Sequence, residues 1–167
     1  MGRAALEQLR LDTVVFLPTG SPHYRKPAVA SAPHRLAMLR LALETEKRFS
    51  VDIRELAAES TGYTVDTLRE WKDENQQDDL FLLMGSDQYS KFDSWREPDE
   101  IARLAHLAVF ARPGFETGNK YKAAIVAMPP LTISASDIRA RLERGASIAG
   151  LVPEPVRSYI EQHRLYH

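Results

Sequence analysis

Residues 80–87, Leu-Phe-Leu-Leu-Met-Gly-Ser-Asp, decide the fold that this 167-residue sequence predicts. Five apolar residues in a row, ended by a glycine, predict a buried strand over residues 80–84. A second apolar segment at residues 106–111 predicts another strand. Because strand-like and helix-like segments alternate, the chain is expected to form an α/β fold with a parallel sheet and crossover helices.

The same alternation extends along the rest of the chain. Further strands are predicted at residues 13–17, 49–53 and 123–128, and helices are predicted from Pro33, near Thr64, after Pro130 and from Pro153. Gly145 is expected to follow the end of the third of these helices as its C′ residue. The length suits one α/β domain over residues 1–167.

The composition limits the classes of function. With 22 Lys and Arg against 23 Asp and Glu, the formal net charge is −1, so neither nucleic acid nor an anionic membrane is an expected partner. The chain has no cysteine, which excludes disulfides and thiolate chemistry and fits a reducing cytoplasm. The longest apolar run, residues 104–111, is broken by His106 and is too short to span a bilayer. No signal peptide is expected before the fold.

Residues 133–139, Ile-Ser-Ala-Ser-Asp-Ile-Arg, predict a local binding site for phosphate. The start of a helix leaves N–H groups unpaired at the positive end of the helix dipole. Ser134 or Ser136 can cap this helix while the other donors bind phosphate oxygens. Arg139 shares the helix face of Ser136 and adds a forked donor suited to a polyphosphate. The alternative is an ordinary serine-capped helix with a solvated arginine.

Two strand ends carry further candidates, because ligands of open parallel sheets lie beyond the carboxyl ends of the strands. After residues 80–84, Gly85 permits close approach of a ligand, and Asp87 can accept hydrogen bonds from a ribose diol. The alternative is that Asp87 only caps the next helix. After the strand at residues 13–17, a proline-rich loop runs into basic residues, and by itself it is interpreted as a surface loop.

Two more positions have two interpretations each. Thr64 is most simply a helix N-cap, and its hydroxyl with neighbouring amides can alternatively hold a carboxylate. Trp95 is either a core anchor or a stacking platform for a flat aromatic ring. Glu97, Asp99 and Glu100 are interpreted as a solvated first helical turn.

Together these segments closely resemble the bacterial nicotinate-nucleotide adenylyltransferases of the nucleotidylyltransferase superfamily, over nearly the whole chain. Several sequence blocks carry the resemblance, in the family's order. They are Leu17-Pro18 with Pro22, Arg25 and residues 35–39; residues 63–68, similar to Y-T-x-D-T-L; residues 84–87 with Trp95; residues 133–139, similar to I-S-S-T-x-I-R; and residues 151–166. The resemblance implies a Rossmann-like parallel sheet with helices on both faces.

The resemblance also implies a reaction and the residues that serve it. AMP would pass from ATP to nicotinate mononucleotide, giving deamido-NAD and pyrophosphate, with Mg²⁺ bridging the phosphates. The positions implied for ATP are Gly85, Asp87, Ile133, Ser134, Ser136 and Arg139, the last as phosphate stabiliser. The positions implied for the mononucleotide are Thr64, Trp95, the backbone at Arg96, Arg25 and His23. His23 is the weakest match, because the family's P-P-H-[K/R] places its histidine one residue later.

Acid is expected to be preferred over amide at this site. A carboxylate accepts from amide donors at both oxygens, whereas a carboxamide presents its own N–H groups to them. One alternative is an adenylyltransferase for nicotinamide mononucleotide or another small molecule. A second is a non-catalytic nucleotide-binding protein. Oligomeric state, including a homo-oligomer, is left open.

The family's opening strand and its G-x-F-D-P-x-H-x-G-H loop have no counterpart in this sequence. Residues 1–7 resemble the helix that follows the loop, so no catalytic histidine is assigned. Either Met1 is an internal start preceded by roughly 20 residues, or the chain is a short nucleotide-binding remnant. Loss of a central strand would expose apolar edges. We therefore expect a truncated active enzyme, with its first strand missing from the sequence.

Overall fold

The computed structural model describes residues 1–20, 28–111, 119–129 and 133–166, which fall into two compact units. The first unit comprises Met1–Val14 and Thr61–Pro130, and the second comprises Val15–Ser60 and Leu131–His167. Each unit has its own buried apolar core. The expectation of a single domain over residues 1–167 stays a prediction.

Helices and strands alternate along most of the chain. In order they are α1 (Gly2–Gln8), β1 (Val14–Phe16), α2 (Ala32–Leu43), β2 (Phe49–Val51), α3 (Thr64–Glu74), β3 (Phe81–Gly85), α4 (Ser86–Tyr89), α5 (Pro98–Leu104), β4 (His106–Phe110), β5 (Ala123–Val126), α6 (Ala135–Glu143) and α7 (Glu154–Gln162). Each strand lies within its predicted segment or ends one residue beyond it.

In the described part of the first unit, β3, β4 and β5 form a three-stranded parallel sheet in that order. The register pairs Gly85 with Phe110 and Phe110 with Val126. The carboxyl ends of the strands therefore lie at one edge of the sheet. This arrangement confirms the predicted α/β class with a parallel sheet.

Alternate residues of β4 supply cores on opposite faces of this sheet. Leu107 and Val109 belong to the core that includes Val65 of α3 and Ile101 of α5. Ala108, by contrast, belongs to the core that includes Ala5 of α1, Phe110 and Val126. Burial of each larger side chain contributes about 1.5–3 kcal/mol to folding. Helices therefore cover both faces of the sheet, as expected.

The side chain of Gln8 hydrogen-bonds α1 to the backbone just after β5. The Gln8 amide donates from Nε2 to the carbonyl of Ala127 at 2.7 Å, and its Oε1 accepts from the Ala127 N–H at 2.9 Å. The carboxamide thus pairs with the peptide as a neighbouring strand would. Because the two residues are 119 apart in sequence, the contact fixes the chain where it leaves the sheet.

In the second unit, α2, α6 and α7 share an apolar core. Its buried residues are Leu142, Ile148, Val156 and Ile160, with Met38 of α2 packed against them. Strand β1 pairs with β2 in a small sheet that lies mainly in this unit. The rings of Phe16 and Phe49 meet edge to face across it, with centroids 5.4 Å apart.

Helix α6 ends where the sequence predicts. Gly145 has φ +68°, a left-handed conformation that favours glycine. Its N–H donates to the carbonyl of Leu142 at 2.9 Å, and the N–H of Ala146 donates to the carbonyl of Arg141 at 2.8 Å. These hydrogen bonds form a Schellman motif, so the expectation for Gly145 is confirmed.

The substitution Gln8→Glu should lower the melting temperature and reduce stability by about 1–2 kcal/mol. A carboxylate cannot donate to the Ala127 carbonyl, and it places a second oxygen against that carbonyl. Thermal unfolding measures the effect. Glu7→Gln, at the neighbouring exposed position, is the matched control and should melt with the wild type. Equal melting of Gln8→Glu and wild type would contradict the role of this contact.

Candidate functional site

The end of β3 places a carboxylate directly beside a glycine. A Cβ atom added to Gly85 would lie 2.7 Å from Oδ1 of Asp87. Asp87 is exposed, and its Oδ2 receives only a long contact of 3.5 Å from the Gln88 amide in the described residues. The Asp87 carboxylate therefore retains the capacity to accept further hydrogen bonds, as the ribose interpretation requires.

The start of α3 differs from the sequence prediction. Tyr63 is the N-cap and Thr64 is the first helical residue, so the simple interpretation of Thr64 as a cap is wrong. The hydroxyl of Thr61 accepts from the Tyr63 N–H at 3.2 Å and donates to Asp66 at 2.6 Å. Gly62, between Thr61 and the N-cap, adopts the left-handed φ of +67°. Thr61 therefore orders the turn that leads into α3.

This local arrangement leaves donors open at the positive end of α3. Within the described part of the chain, the Thr64 hydroxyl and the backbone N–H groups of Thr64 and Val65 have no hydrogen-bond partner. Thr64 is half-buried. First-turn amides and a hydroxyl at a helix N-terminus suit an anion of carboxylate size.

The segment after the 3₁₀ turn Phe92–Ser94 presents an indole ring and a backbone amide. The Trp95 ring is half-buried and lies 5.4 Å from the buried ring of Phe92, tilted by 53°. Its partial exposure fits both a core anchor and a stacking surface. Arg96 is exposed, with its guanidinium 4.6 Å above the ring of Tyr63. Its backbone N–H has no hydrogen-bond partner among the described residues.

Glu97 forms an ion pair that the sequence did not predict. Its carboxylate pairs with Arg69 of α3 at 2.5 Å, and Glu100 lies 3.8 Å from the same guanidinium. Glu97 and Asp99 are exposed, as the sequence predicts, but Glu97 is the N-cap of α5 and not part of its first turn, and Glu100 is half-buried. No local signal identifies this pair, because Arg69 precedes Glu97 by 28 residues.

Electrostatic interactions in this region favour the charged forms of Arg69 and Glu100. The hydrogen bond with Glu97 raises the pKa of Arg69. The Arg103 guanidinium, 2.7 Å away, lowers the pKa of Glu100. Burial, together with the hydrogen bond to Asp99, raises the pKa of the Tyr121 hydroxyl.

At the start of α6, Ser134 is the N-cap. Its hydroxyl accepts from the Asp137 N–H at 3.1 Å and donates to the Asp137 carboxylate at 2.7 Å. Arg139 donates to the Ser136 hydroxyl at 3.3 Å, so these two share a helix face as their spacing predicts. The N–H groups of Ala135 and Ser136 have no hydrogen-bond partner among the described residues. These amides, the Ser136 hydroxyl and Arg139 are therefore the available phosphate donors, with exposed Ile133 just before them.

The predicted residues form separate groups in the two units. In the first unit Gly85 adjoins Asp87, and Arg96 reaches Tyr63 beside Thr64. In the second unit Ser134, Ser136 and Arg139 lie together at the start of α6. His23 and Arg25 lie outside the described residues, so their assignments stay predictions.

A further contact that the sequence did not indicate lies at the end of β1. The Arg35 guanidinium donates to the carbonyls of Thr19 at 2.5 Å and Gly20 at 3.1 Å. The Gly20 N–H donates to the Glu55 carbonyl at 2.9 Å, and a Cβ on Gly20 would lie 2.9 Å from that oxygen. These contacts hold the chain where it enters the proline-rich loop.

The described residues form neither a cluster of metal ligands nor a membrane-spanning helix. Residues 1–20, 28–111, 119–129 and 133–166 contain no group of three or more His, Cys, Asp or Glu side chains that could hold a metal ion. No helix in the same ranges is long and apolar enough to cross a membrane.

The chain matches known proteins over most of its length. The family model described as cytidylyltransferase-like matches residues 1–141. A probable nicotinate-nucleotide adenylyltransferase of Bordetella petrii is 41% identical over 177 residues, covering 99% of this chain and 89% of the relative. A protein of the same name from Laribacter hongkongensis is 39% identical, covering 99% of this chain and 86% of the relative.

A solved structure has the same fold. It is the Plasmodium falciparum nicotinic acid mononucleotide adenylyltransferase complexed with NaAD, with a TM-score of 0.76 at 17% identity, covering 98% of this chain and 87% of that one. The parallel sheet, the motif order and these matches agree. The chain therefore belongs to the cytidylyltransferase-like family and, within it, to the nicotinate-nucleotide adenylyltransferases, which are nucleotidyltransferase enzymes.

Proposed function

We propose that this protein transfers AMP from ATP to nicotinate mononucleotide, forming deamido-NAD and pyrophosphate for NAD biosynthesis. The names of its relatives support this reaction. The structural observation that carries the proposal is the start of α3, where the Thr64 hydroxyl and the Thr64 and Val65 amides have no partner in the described chain. A small anion such as a carboxylate is a ligand that such donors suit.

The nicotinate carboxylate would bind between Thr64 and the Arg96 N–H. Both groups can donate a hydrogen bond, so a carboxylate satisfies them. The –NH₂ of a carboxamide would instead place its own N–H donors against them. The exposed part of the Trp95 ring would stack on the pyridine ring. This arrangement favours acid over amide. Arg25 and His23 would bind the phosphate of the mononucleotide.

For ATP, the proposed donors to the phosphates lie at the start of α6, and the proposed acceptor for the ribose lies at the end of β3. The amides of Ala135 and Ser136, the Ser136 hydroxyl and Arg139 would hold its phosphates. Ser134 would join them only by giving up its hydrogen bond to Asp137. Asp87 would accept hydrogen bonds from the ribose hydroxyls, with Gly85 allowing the sugar to approach.

The reaction needs positioning more than proton transfer. An oxygen of the mononucleotide phosphate attacks the α-phosphorus of ATP, a new P–O–P bond forms, and the bond to the β-phosphate breaks to release pyrophosphate. The attacking phosphate is already ionised near neutral pH, so no general base is required. Arg139 and the helix amides would stabilise the charge on the departing pyrophosphate.

Mg²⁺ would enter with ATP as part of the substrate complex. It prefers phosphate oxygens and water and does not require an all-protein cage. When bound, it would neutralise charge on the phosphates. A cytoplasmic location belongs to the same proposal and is compatible with a chain that has no cysteine.

Pyrophosphate release by the full natural chain tests the function. With ATP and Mg²⁺, nicotinate mononucleotide should be used with a kcat/KM about 10²-fold or more above that for nicotinamide mononucleotide, because the amide leaves donors unpaired. Amide use equal to or above acid use would contradict the proposed substrate. Absence of pyrophosphate with both would contradict the reaction.

Arg139→Ala should lower kcat/KM for ATP by about 10²-fold, because one charged donor to the phosphates is lost. Its melting temperature should stay close to that of the wild type, since the side chain hydrogen-bonds only to Ser136 among the described residues. Arg141→Ala, an exposed arginine on the same helix, is the matched control and should keep wild-type kinetics. If Arg139→Ala shows the same wild-type kinetics as Arg141→Ala, Arg139 does not bind the ATP phosphates.

Gly85→Ala should raise the KM for ATP by about tenfold, because the new Cβ displaces the Asp87 carboxylate. The same substitution should add little in an Asp87→Ala background, where no carboxylate remains to be displaced. Steady-state kinetics of the two single variants and the double variant measure this coupling. Fully additive effects would show that Gly85 acts independently of Asp87.

A further inference from the structure

Arg69 and Glu97 form a forked ion pair between α3 and the segment that carries Trp95. Nη2 of Arg69 donates to one oxygen of Glu97 at 2.5 Å, and Nη1 donates to the other at 3.4 Å. The side chains are 41% and 44% exposed. Exposed ion pairs contribute little to stability, whereas a two-point fork restricts geometry strongly. The pair is therefore better suited to setting a position than to stabilising the fold.

Carboxylates on two helices surround the Arg69 guanidinium. Besides Glu97, it contacts Asp66 of α3 at 3.4 Å and Glu100 of α5 at 3.8 Å. This excess of negative charge keeps the arginine side chain on the face where Glu97 can reach it. Glu100 is shared with Arg103, at 2.7 Å.

The backbone of Glu97 adopts a conformation that L-residues rarely occupy. Its dihedral angles are φ +51° and ψ +57°, in the left-handed region. Such residues persist where surrounding contacts hold them. The Glu97 carbonyl accepts from the Ile101 N–H at 3.1 Å, so the turn at Glu97 also begins α5. The direction in which the chain leaves Arg96 therefore depends on how Glu97 is held.

A second contact ties the same segment to the start of α3. The Arg96 guanidinium lies 4.6 Å above the ring of Tyr63, and its Nε is 3.7 Å from Glu97. Tyr63 precedes Thr64, and Arg69 follows it by five residues. Tyr63 and Arg69, which flank Thr64 in sequence, thus both contact the segment that follows Trp95.

We propose that Arg69 is a positioning residue for recognition of the nicotinate ring. By holding Glu97 in its left-handed turn, Arg69 sets the separation between the Arg96 N–H and the Thr64 hydroxyl. This inference rests on the proposed function, in which these two donors receive the nicotinate carboxylate. Arg69 itself does not touch the substrate.

Steady-state kinetics of Arg69→Ala in the full natural chain test the proposal. KM for nicotinate mononucleotide should rise about tenfold, because small displacements of positioned groups are costly. Values of kcat and of KM for ATP should stay within about twofold of wild type. Preference for acid over amide should fall. The matched control is Arg103→Ala, which removes an exposed ion pair on α5 at 2.7 Å from Glu100 without touching Glu97 and should change none of these values.

Further variants separate positioning from folding. Arg69→Ala combined with Glu97→Ala should be no worse than the more affected single variant, because both remove the same pair. Glu97→Gly should raise KM for nicotinate mononucleotide without lowering the melting temperature, since glycine adopts the left-handed conformation freely.

Each other outcome overturns the proposal. An unchanged KM for nicotinate mononucleotide in Arg69→Ala, beside an active wild type, overturns the positioning role and leaves the proposed function intact. A lowered melting temperature with equal losses for both substrates assigns Arg69 a structural role. A wild type that neither binds nor uses nicotinate mononucleotide, by calorimetry and by pyrophosphate release, overturns the proposed function and this inference together.

Discussion

The parallel pairing of β3, β4 and β5 is the constraint on which the rest of the first unit depends. Its register places Gly85, Phe110 and Val126 at one edge of the sheet. Both faces of the sheet are apolar, so α1 must cover one face while α3 and α5 cover the other. The packing of α3 against the α5 side in turn brings the start of α3 to the Trp95–Arg96 segment.

The starts of α3 and α6 use the same physical device in different sequences. In α6 the hydroxyl of Ser134 bonds both the amide and the carboxylate of Asp137. In α3 the hydroxyl of Thr61 bonds the Tyr63 amide and the Asp66 carboxylate. In each case a hydroxyl and an aspartate order the first turn and leave other amides open. The helix dipole makes those open amides suitable for anions.

Much of the fold could be predicted because its signals are local. Apolar runs predicted the strands, and Gly145 predicted the end of α6, since a left-handed C′ residue depends only on its neighbours. The site was predicted less completely. Thr64 was wrongly interpreted as a cap, because a turn at Gly62 lets Thr61 take part instead. The ion pair of Glu97 with Arg69 was not predicted, because the two residues are 28 apart in sequence.

The sequence by itself determined the alternation of strands and helices, the order of the family's motifs and the serine-capped start of α6. These features depend on periodicity and on contacts within a few residues. Only the tertiary structure decided which distant polar groups meet. Arg69 reaches Glu97 across 28 residues, and Gln8 reaches Ala127 across 119. Such contacts arise from how helices pack on the sheet, a geometry that no local pattern of residues contains.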